Sequence, residues 1–292
     1  MQVAHFSDVH ALSLEGTRPW AFLTKRVAGF ANLRLKRRDK HPVRLFEAMV
    51  DDLNRRPPDE VIVTGDLTNL SLESEFKLAR AILDRLTIGP SHVTVVPGNH
   101  DVYTLDALLR HPFRRAFRPY AESDTPAEEQ FPLVRVRGEI AIFGVSSARP
   151  SPVPFADGRV GASQLAALER ALSAHAGKFR ILALHHPPYT NRHAFLRGLR
   201  DRTALQAVLL RAGCELVLHG HEHRDLRQEL QGPSGPIPVI GVGSATYDDA
   251  RPDRRARYNV YHIEHNRLAR VETRVHDAAT DLFKGCKHPS PG

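Results

Sequence analysis

The chain has 292 residues, 41% of them hydrophobic and 25% charged, with 41 Lys/Arg against 33 Asp/Glu for a net charge of +8. Those values fit a globular chain long enough to bury a sizeable core, and they exclude a disordered chain or a small stapled scaffold. Two cysteines, Cys214 and Cys286, are too few for a disulfide framework or a thiolate zinc site.

Short apolar, β-branched runs alternate with stretches of helical period, which predicts a layered α/β fold. In chain order the patterns predict a strand at 2–6, helix 43–55, strand 60–64, helix 73–86 and strand 92–96, then an irregular or helical excursion at 104–130. Two strands follow at 133–145, then helix 161–175, strand 180–184, helix 202–212 and strand 215–219. After Gly220 only strands are expected, near 225–230, 237–242, 258–264 and 268–275, and the Pro-rich tail 284–292 reads as frayed. No repeat or linker interrupts the pattern, so residues 1–283 are expected to form one domain. No run approaches the roughly 18 to 20 apolar residues of a membrane span, and Met1 to Asp8 has no signal-peptide pattern. The expected location is cytoplasmic, with a peripheral place at the inner membrane surface if the basic segment described next binds lipid.

The positive charge is local. Residues 18–44 hold nine Lys/Arg against Asp39 alone, which accounts for the whole net charge. Within them Trp20, Leu23, Val27 and Phe30 recur at steps of three and four, a basic amphipathic pattern suited either to an anionic membrane surface or to a helix covering the site. Nucleic acid is the less favoured partner, because charge elsewhere balances and aromatics for base stacking are few.

Metal-type side chains gather after the ends of the predicted strands, where open α/β sheets place their ligand sites. The places are Asp8-Val9-His10, Gly65-Asp66-Leu67-Thr68-Asn69, Gly98-Asn99-His100-Asp101, His185-His186-Pro187-Pro188 and Gly220-His221-Glu222-His223. In an extended segment, residues i and i+2 project to one side, so Asp8 and His10 can share a cation. A single Asp-x-His or Gly-Asp turn is ordinary, whereas five such blocks after five apolar runs are not.

These blocks, in this order, resemble the calcineurin-like metallophosphoesterases, from Asp8 to His223. The resemblance implies a four-layer α-β-β-α sandwich of two mixed sheets. It implies two divalent or trivalent metal ions, one on Asp8, His10, Asp66 and His223, the other on Asp66, Asn99, His185 and His221, with Asp66 bridging. The carboxylate, amide and imidazole donors suit Mn, Fe, Zn or Co without choosing among them. Two such cations acidify a bridging water and neutralise phosphate oxygens during in-line attack. His100 would face the phosphate and the leaving group, with Asp101 orienting it and raising its pKa.

The implied activity is phosphodiester hydrolysis, with cyclic nucleotides as the first substrate class. The alternative is the pyrophosphate of UDP-2,3-diacylglucosamine, cleaved at the membrane surface in lipid A synthesis. A nuclease or a non-catalytic scaffold ranks lower, since no ligand position is lost. Asn69 stands where many relatives carry Asp. His186 and His219 are expected to support ligands by hydrogen bonding, Glu222 to point away, and His5 and His41 to be surface or structural.

Overall fold

The computed structural model describes residues 1–17, 26, 40–124, 129–190 and 194–286. Most of the basic segment 18–44, including Trp20, Leu23, Val27 and Phe30, lies outside the described residues, as does the chain beyond Cys286.

Two six-stranded mixed sheets carry the fold. The first contains β1 (Gln2–Phe6), β2 (Glu60–Val63), β3 (Val93–Val95), β10 (Arg257–Glu264), β11 (Arg267–Asp277) and β12 (Leu282–Cys286), in the order β12-β11-β10-β1-β2-β3. The second contains β4 (Leu133–Arg137), β5 (Ile140–Gly144), β6 (Phe179–Ala183), β7 (Leu216–His219), β8 (Leu226–Gly232) and β9 (Gly235–Gly241), in the order β4-β5-β6-β7-β9-β8. β1, β2 and β3 run parallel, as do β5, β6, β7 and β9.

Side-chain alternation along each strand assigns its two faces. Val3 of β1, Ile62 of β2, Ile140 and Ile142 of β5 and Ile181 of β6 join one cluster between the sheets. Their neighbours Ala4, Phe6, Val61 and Val63 join a second cluster, under α1 (Val43–Arg55), α2 (Glu73–Leu83) and α4 (Pro112–Phe117). Ala141, Phe143 and Leu182 join a third, under α5 (Ala162–Ala174) and α7 (Arg202–Ala212). Strands buried on both faces read as continuous apolar runs, and helices must cover them. α1 presents Leu45, Phe46, Met49, Val50 and Leu53 to its sheet, the stripe of a 3.6-residue period. The result is the α-β-β-α sandwich.

The expected elements are present within a few residues, and the 104–130 stretch contains α3 (Leu105–Arg110) and α4. Two features differ. A one-turn helix, α6 (Ala194–Arg197), was not expected. The frayed tail was set to begin at Lys284, but Lys284, Gly285 and Cys286 pair with Val275, Arg274 and Thr273 in β12. Phe283 supplies the reason: it is buried against Tyr258, ring centroids 5.5 Å apart, and anchors an edge strand whose other residues are exposed.

Candidate metal centre

Each parallel strand that ends in a polar block delivers it to the same edge of the sandwich. After β1 and β2 the parallel pairing continues: Asp8 N–H donates to the Gly65 carbonyl, His10 N–H to Asp66 and Ala11 N–H to Leu67. The backbone then turns sharply. Asp8, His10, Asp66, His221 and His223 all take positive φ, between 50° and 72°. That region is uncommon for residues with a Cβ, and strain held at several adjoining positions marks a functional site.

Close approach of the loops needs glycine. A Cβ on Gly98 would lie 2.2 Å from Asp66 Oδ1, and one on Gly220 would lie 1.9 Å from Ser7 Oγ and 2.6 Å from Asp8 Oδ2.

The side chains predicted as ligands converge into two groups. In the first, His10 Nε2 is 3.1 Å from His223 Nε2, His223 Nε2 is 3.2 Å from Asp8 Oδ1, and His10 Nε2 is 3.9 Å from both Asp8 Oδ1 and Asp66 Oδ2. In the second, His185 Nε2 is 3.1 Å from His221 Nδ1, 3.2 Å from Asn99 Oδ1 and 3.3 Å from Asp66 Oδ2. Asp66 Oδ2 belongs to both. Donors bound about 2.0–2.2 Å from one ion stand about 3.0–3.4 Å apart when adjacent in its shell, so the shortest separations are those of a ligand set. Asp8, His10, Asp66, Asn99, His185 and His221 are buried, while His223 is half-buried.

The surrounding hydrogen bonds fix which atoms point inward. His185 Nδ1 lies 2.7 Å from the Thr64 carbonyl, which accepts its proton and leaves the Nε2 lone pair facing the donors. Asp66 Oδ1 accepts from His100 N–H at 2.7 Å, and Asp8 Oδ2 accepts from His221 N–H at 2.9 Å, so each carboxylate keeps its other oxygen for the centre.

Electrostatics agree. Burial opposes ionisation of Asp66, but His185 and His100 outweigh it and hold the carboxyl below the usual range. Burial likewise disfavours charge on His185, yet Asp66 and Asp8 raise it to about 9. Two carboxylates here demand positive charge beside them. Burial, with His186 and His185 nearby, keeps His221 neutral, and its Nε2 is buried without a hydrogen-bond partner among the described residues. Ionised carboxylates beside a neutral His221 suit a cation, which would take the place of the proton that Asp66 and Asp8 favour on His185.

His100 and Asp101 divide differently from expectation. His100 is half-buried, with its ring 4.9 Å from that of His10 and stacked on Tyr103 at 5.2 Å. Its Nδ1 donates to the Asn69 carbonyl at 2.6 Å, while Asn69 Nδ2 donates to the His10 carbonyl at 2.6 Å. Asp101 does not orient His100. Its Oδ1 accepts from Thr68 N–H and Thr68 Oγ1, and its Oδ2 from Leu67 N–H and Gly98 N–H, which ties the Asp66 loop to the Asn99 loop. Burial and the neighbouring Asp66 push the Asp101 carboxyl up to about 7.

The other histidines divide as follows. His5 is buried between the sheets against Thr64 Oγ1 at 2.8 Å. His186 meets Ser147 Oγ at 2.8 Å, and His219 meets Tyr189 Oη at 3.2 Å. His41, expected to be surface or structural, is buried beside His10 and His223. Its signal was weak, a lone His at the end of a basic stretch. The Ser244–Thr246 turn beyond β9 was also missed: Ser244 Oγ donates to the Asp8 carbonyl and Thr246 Oγ1 to the Val9 carbonyl.

Residues 1–225 match the family described as calcineurin-like phosphoesterase, and the chain belongs to that family. Among curated proteins it is 29% identical over 193 residues to a cAMP/cGMP dual specificity phosphodiesterase of Mycobacterium tuberculosis, covering 65% of this chain and 54% of that one. It is 27% identical over 190 residues to a glycerophosphodiester phosphodiesterase of Enterobacter lignolyticus, covering 64% and 57%. The chain thus spans little more than half the length of these relatives. Among solved structures, a dimetal phosphatase from Danio rerio superposes with a TM-score of 0.59 at 15% identity, covering 94% of this chain and 95% of that one. A purple acid phosphatase from yellow lupin gives 0.62 at 13%, covering 98% and 52%. At such identities these two structures speak to the fold.

Proposed function

We propose that residues 1–283 form one catalytic unit, a binuclear metal-dependent phosphodiesterase. Asp8, His10, Asp66 and His223 hold one ion; Asp66, Asn99, His185 and His221 hold the other. The observation that carries this is the meeting of both donor groups at Asp66 Oδ2. When bound, two ions supply Lewis acidity toward water and the phosphate oxygens. The donor types fit Mn, Fe, Zn or Co equally.

His100 does the work that a ligand cannot. Its Nδ1 donates to the Asn69 carbonyl, and Nε2 is the nitrogen we assign to a substrate oxygen. There it donates a proton to the departing alkoxide or binds a phosphate oxygen. Asp101 acts through the loops it joins and is a positioning residue. The relatives' names support a diester, with a cyclic nucleotide first.

The test is turnover of metal-loaded protein on 3′,5′-cyclic AMP and GMP, a bis-aryl phosphate diester and the matching aryl monoester. Faster turnover of the diester is expected. Hydrolysis of the monoester alone overturns the assignment.

One feature favours a second activity, cleavage of a lipid-borne pyrophosphate such as UDP-2,3-diacylglucosamine at an anionic membrane surface. α3, just beyond His100 and Asp101, exposes Leu105 (70%) and Leu109 (77%), with Leu108 beside them and Arg110, Arg114 and Arg115 exposed on α3 and α4. Apolar side chains flanked by Arg suit an interfacial surface. No helix among the described residues is long and apolar enough to cross a membrane.

A further inference from the structure

None of the motifs that define the two donor groups contains His41, yet it lies against the first of them. It is 8% exposed. Its ring meets that of His10 edge-on at 4.8 Å, that of His223 at 5.8 Å and that of Tyr247 at 5.2 Å. His10, His41 and His223 each offer one nitrogen, and the three lie within 4.8 Å of one another. Donors bound about 2.1 Å from a single ion lie no more than about 4.2 Å apart, so nitrogens gathered this closely are within reach of one shell after a small adjustment.

The tautomer of His41 follows from the turn beyond β9. Thr246 Oγ1 spends its only proton on the Val9 carbonyl, at 2.6 Å. It can therefore only accept from His41 Nδ1, 2.9 Å away. Ser244 Oγ, 3.4 Å from the same nitrogen, is likewise spent on the Asp8 carbonyl at 2.7 Å. The ring's proton sits on Nδ1, and Nε2 keeps its lone pair. His185 is prepared in the same way, with Nδ1–H on the Thr64 carbonyl, and ligating histidines are commonly oriented by such a bond. The hydroxyls that orient His41 also hold the backbone of Asp8 and Val9, so the ring and the first ligand loop are fixed together.

We propose that His41 is a further imidazole donor to the ion held by Asp8, His10, Asp66 and His223. The proposal rests on the binuclear reading above. It makes the first ion's shell richer in nitrogen than the second's. The first ion would then be the tightly held one and the second the more readily exchanged. It also ties the end of the basic segment to the metal centre.

Co²⁺ titration of metal-free protein, followed by equilibrium dialysis and visible absorption, tests this on wild type, His41→Phe and His41→Ala. Phe keeps the edge-on ring packing and removes the lone pair; Ala removes both. Metal-free circular dichroism and thermal unfolding show which variants keep the fold. Wild type is expected to take up two ions. In both variants one of the two should bind at least tenfold more weakly, and the absorption of the first site should change, because its ligand field has lost a nitrogen. If His41→Phe keeps both affinities and the spectrum, His41 serves only in packing and the proposal is overturned. If that variant does not fold, His41→Ala decides: an unchanged first-site spectrum overturns the proposal and a changed one sustains it. A wild type that takes up a single ion overturns the binuclear reading instead, and the comparison of variants still decides His41 at that ion.

Discussion

His100 separates binding from chemistry at the scale of one residue. Its contacts include the Asn69 carbonyl, the backbone link to Asp66 Oδ1 and the stacked Tyr103 ring. Substituting the side chain leaves the His100 N–H to Asp66 bond in place. His100→Ala should therefore retain metal while kcat falls roughly 10²- to 10⁴-fold, the usual effect of a positioned acid. The loss should be smaller for a bis-aryl diester, whose leaving group needs little protonation, than for an alkyl diester; equal losses on the two would remove the leaving-group role. Asp66→Asn should behave oppositely. It weakens the one oxygen shared by both donor groups, so elemental analysis should find most of both metals gone. The ligand blocks were legible in the sequence because each is local and follows a strand, whereas the separate roles of His100 and Asp66 were what the family resemblance implied. For Asp101 the resemblance implied an orienting contact with His100 that the structure does not contain. The turn sends His100 outward and Asp101 into the protein, onto four donors. His41 was illegible for another reason: its partners Thr246 and Ser244 lie more than 200 residues away.

Among the elements, the loop from β2 into α2 carries a testable charge. Glu75 Oε2 accepts from Leu70 N–H at 2.8 Å and Leu72 N–H at 3.1 Å, which shapes the turn that follows Asn69. Burial nevertheless dominates and raises the Glu75 carboxyl to about 8 from an ordinary 4.5. As pH rises through that interval, the unfolded chain releases the proton first. Stability from this group is thus fully present below about 4.5 and is lost progressively up to about 8. Glu75→Gln keeps an acceptor for both N–H groups and cannot ionise. Urea unfolding of wild type and variant at pH 5 and pH 8 should show the variant gaining on wild type by roughly 1 to 3 kcal/mol at the higher pH. A difference independent of pH would mean that Glu75 is ionised throughout. α3 carries a second test, of the membrane-surface activity. If Leu105, Leu108 and Leu109 engage lipid, changing all three to Ser should reduce co-sedimentation with anionic vesicles while turnover of a soluble diester persists, because none of the proposed ligands is touched. Wild type that ignores such vesicles at low salt removes that activity's structural support. Strand β12 shows what the element patterns left unread. With one buried side chain, Phe283, and Lys284 and Gly285 beside it, it has the composition of a tail and gains order from pairing with β11 and from the packing of Phe283 on Tyr258.

For the molecule as a whole, the two donor groups are also a joint between the sheets. Asp8, His10, Asp66 and Asn99 follow β1, β2 and β3 of one sheet; His185, His221 and His223 follow β6 and β7 of the other. The alternating apolar pattern made both sheets and their helices legible, and the cluster of Val3, Ile62, Ile142 and Ile181 holds their facing surfaces together. At the edge where the polar blocks meet, that apolar contact gives way to carboxylates and imidazoles, with several residues at positive φ. Cations there would offset the repulsion between Asp8 and Asp66 and link the sheets. An ion that binds only the folded state stabilises it by about 2.7 kcal/mol at a hundred times its dissociation constant. Stripping metal with a chelator should therefore lower the unfolding temperature, and adding it back should restore it. Hydrogen exchange should locate the effect: faster exchange after chelation in the turns that follow β1, β2, β6 and β7, with little change in α1, α5 or the interior of either sheet. An unfolding temperature indifferent to chelation, in protein confirmed to have lost its metal, would show that the apolar layer alone joins the sheets and that the polar edge is held by its hydrogen bonds.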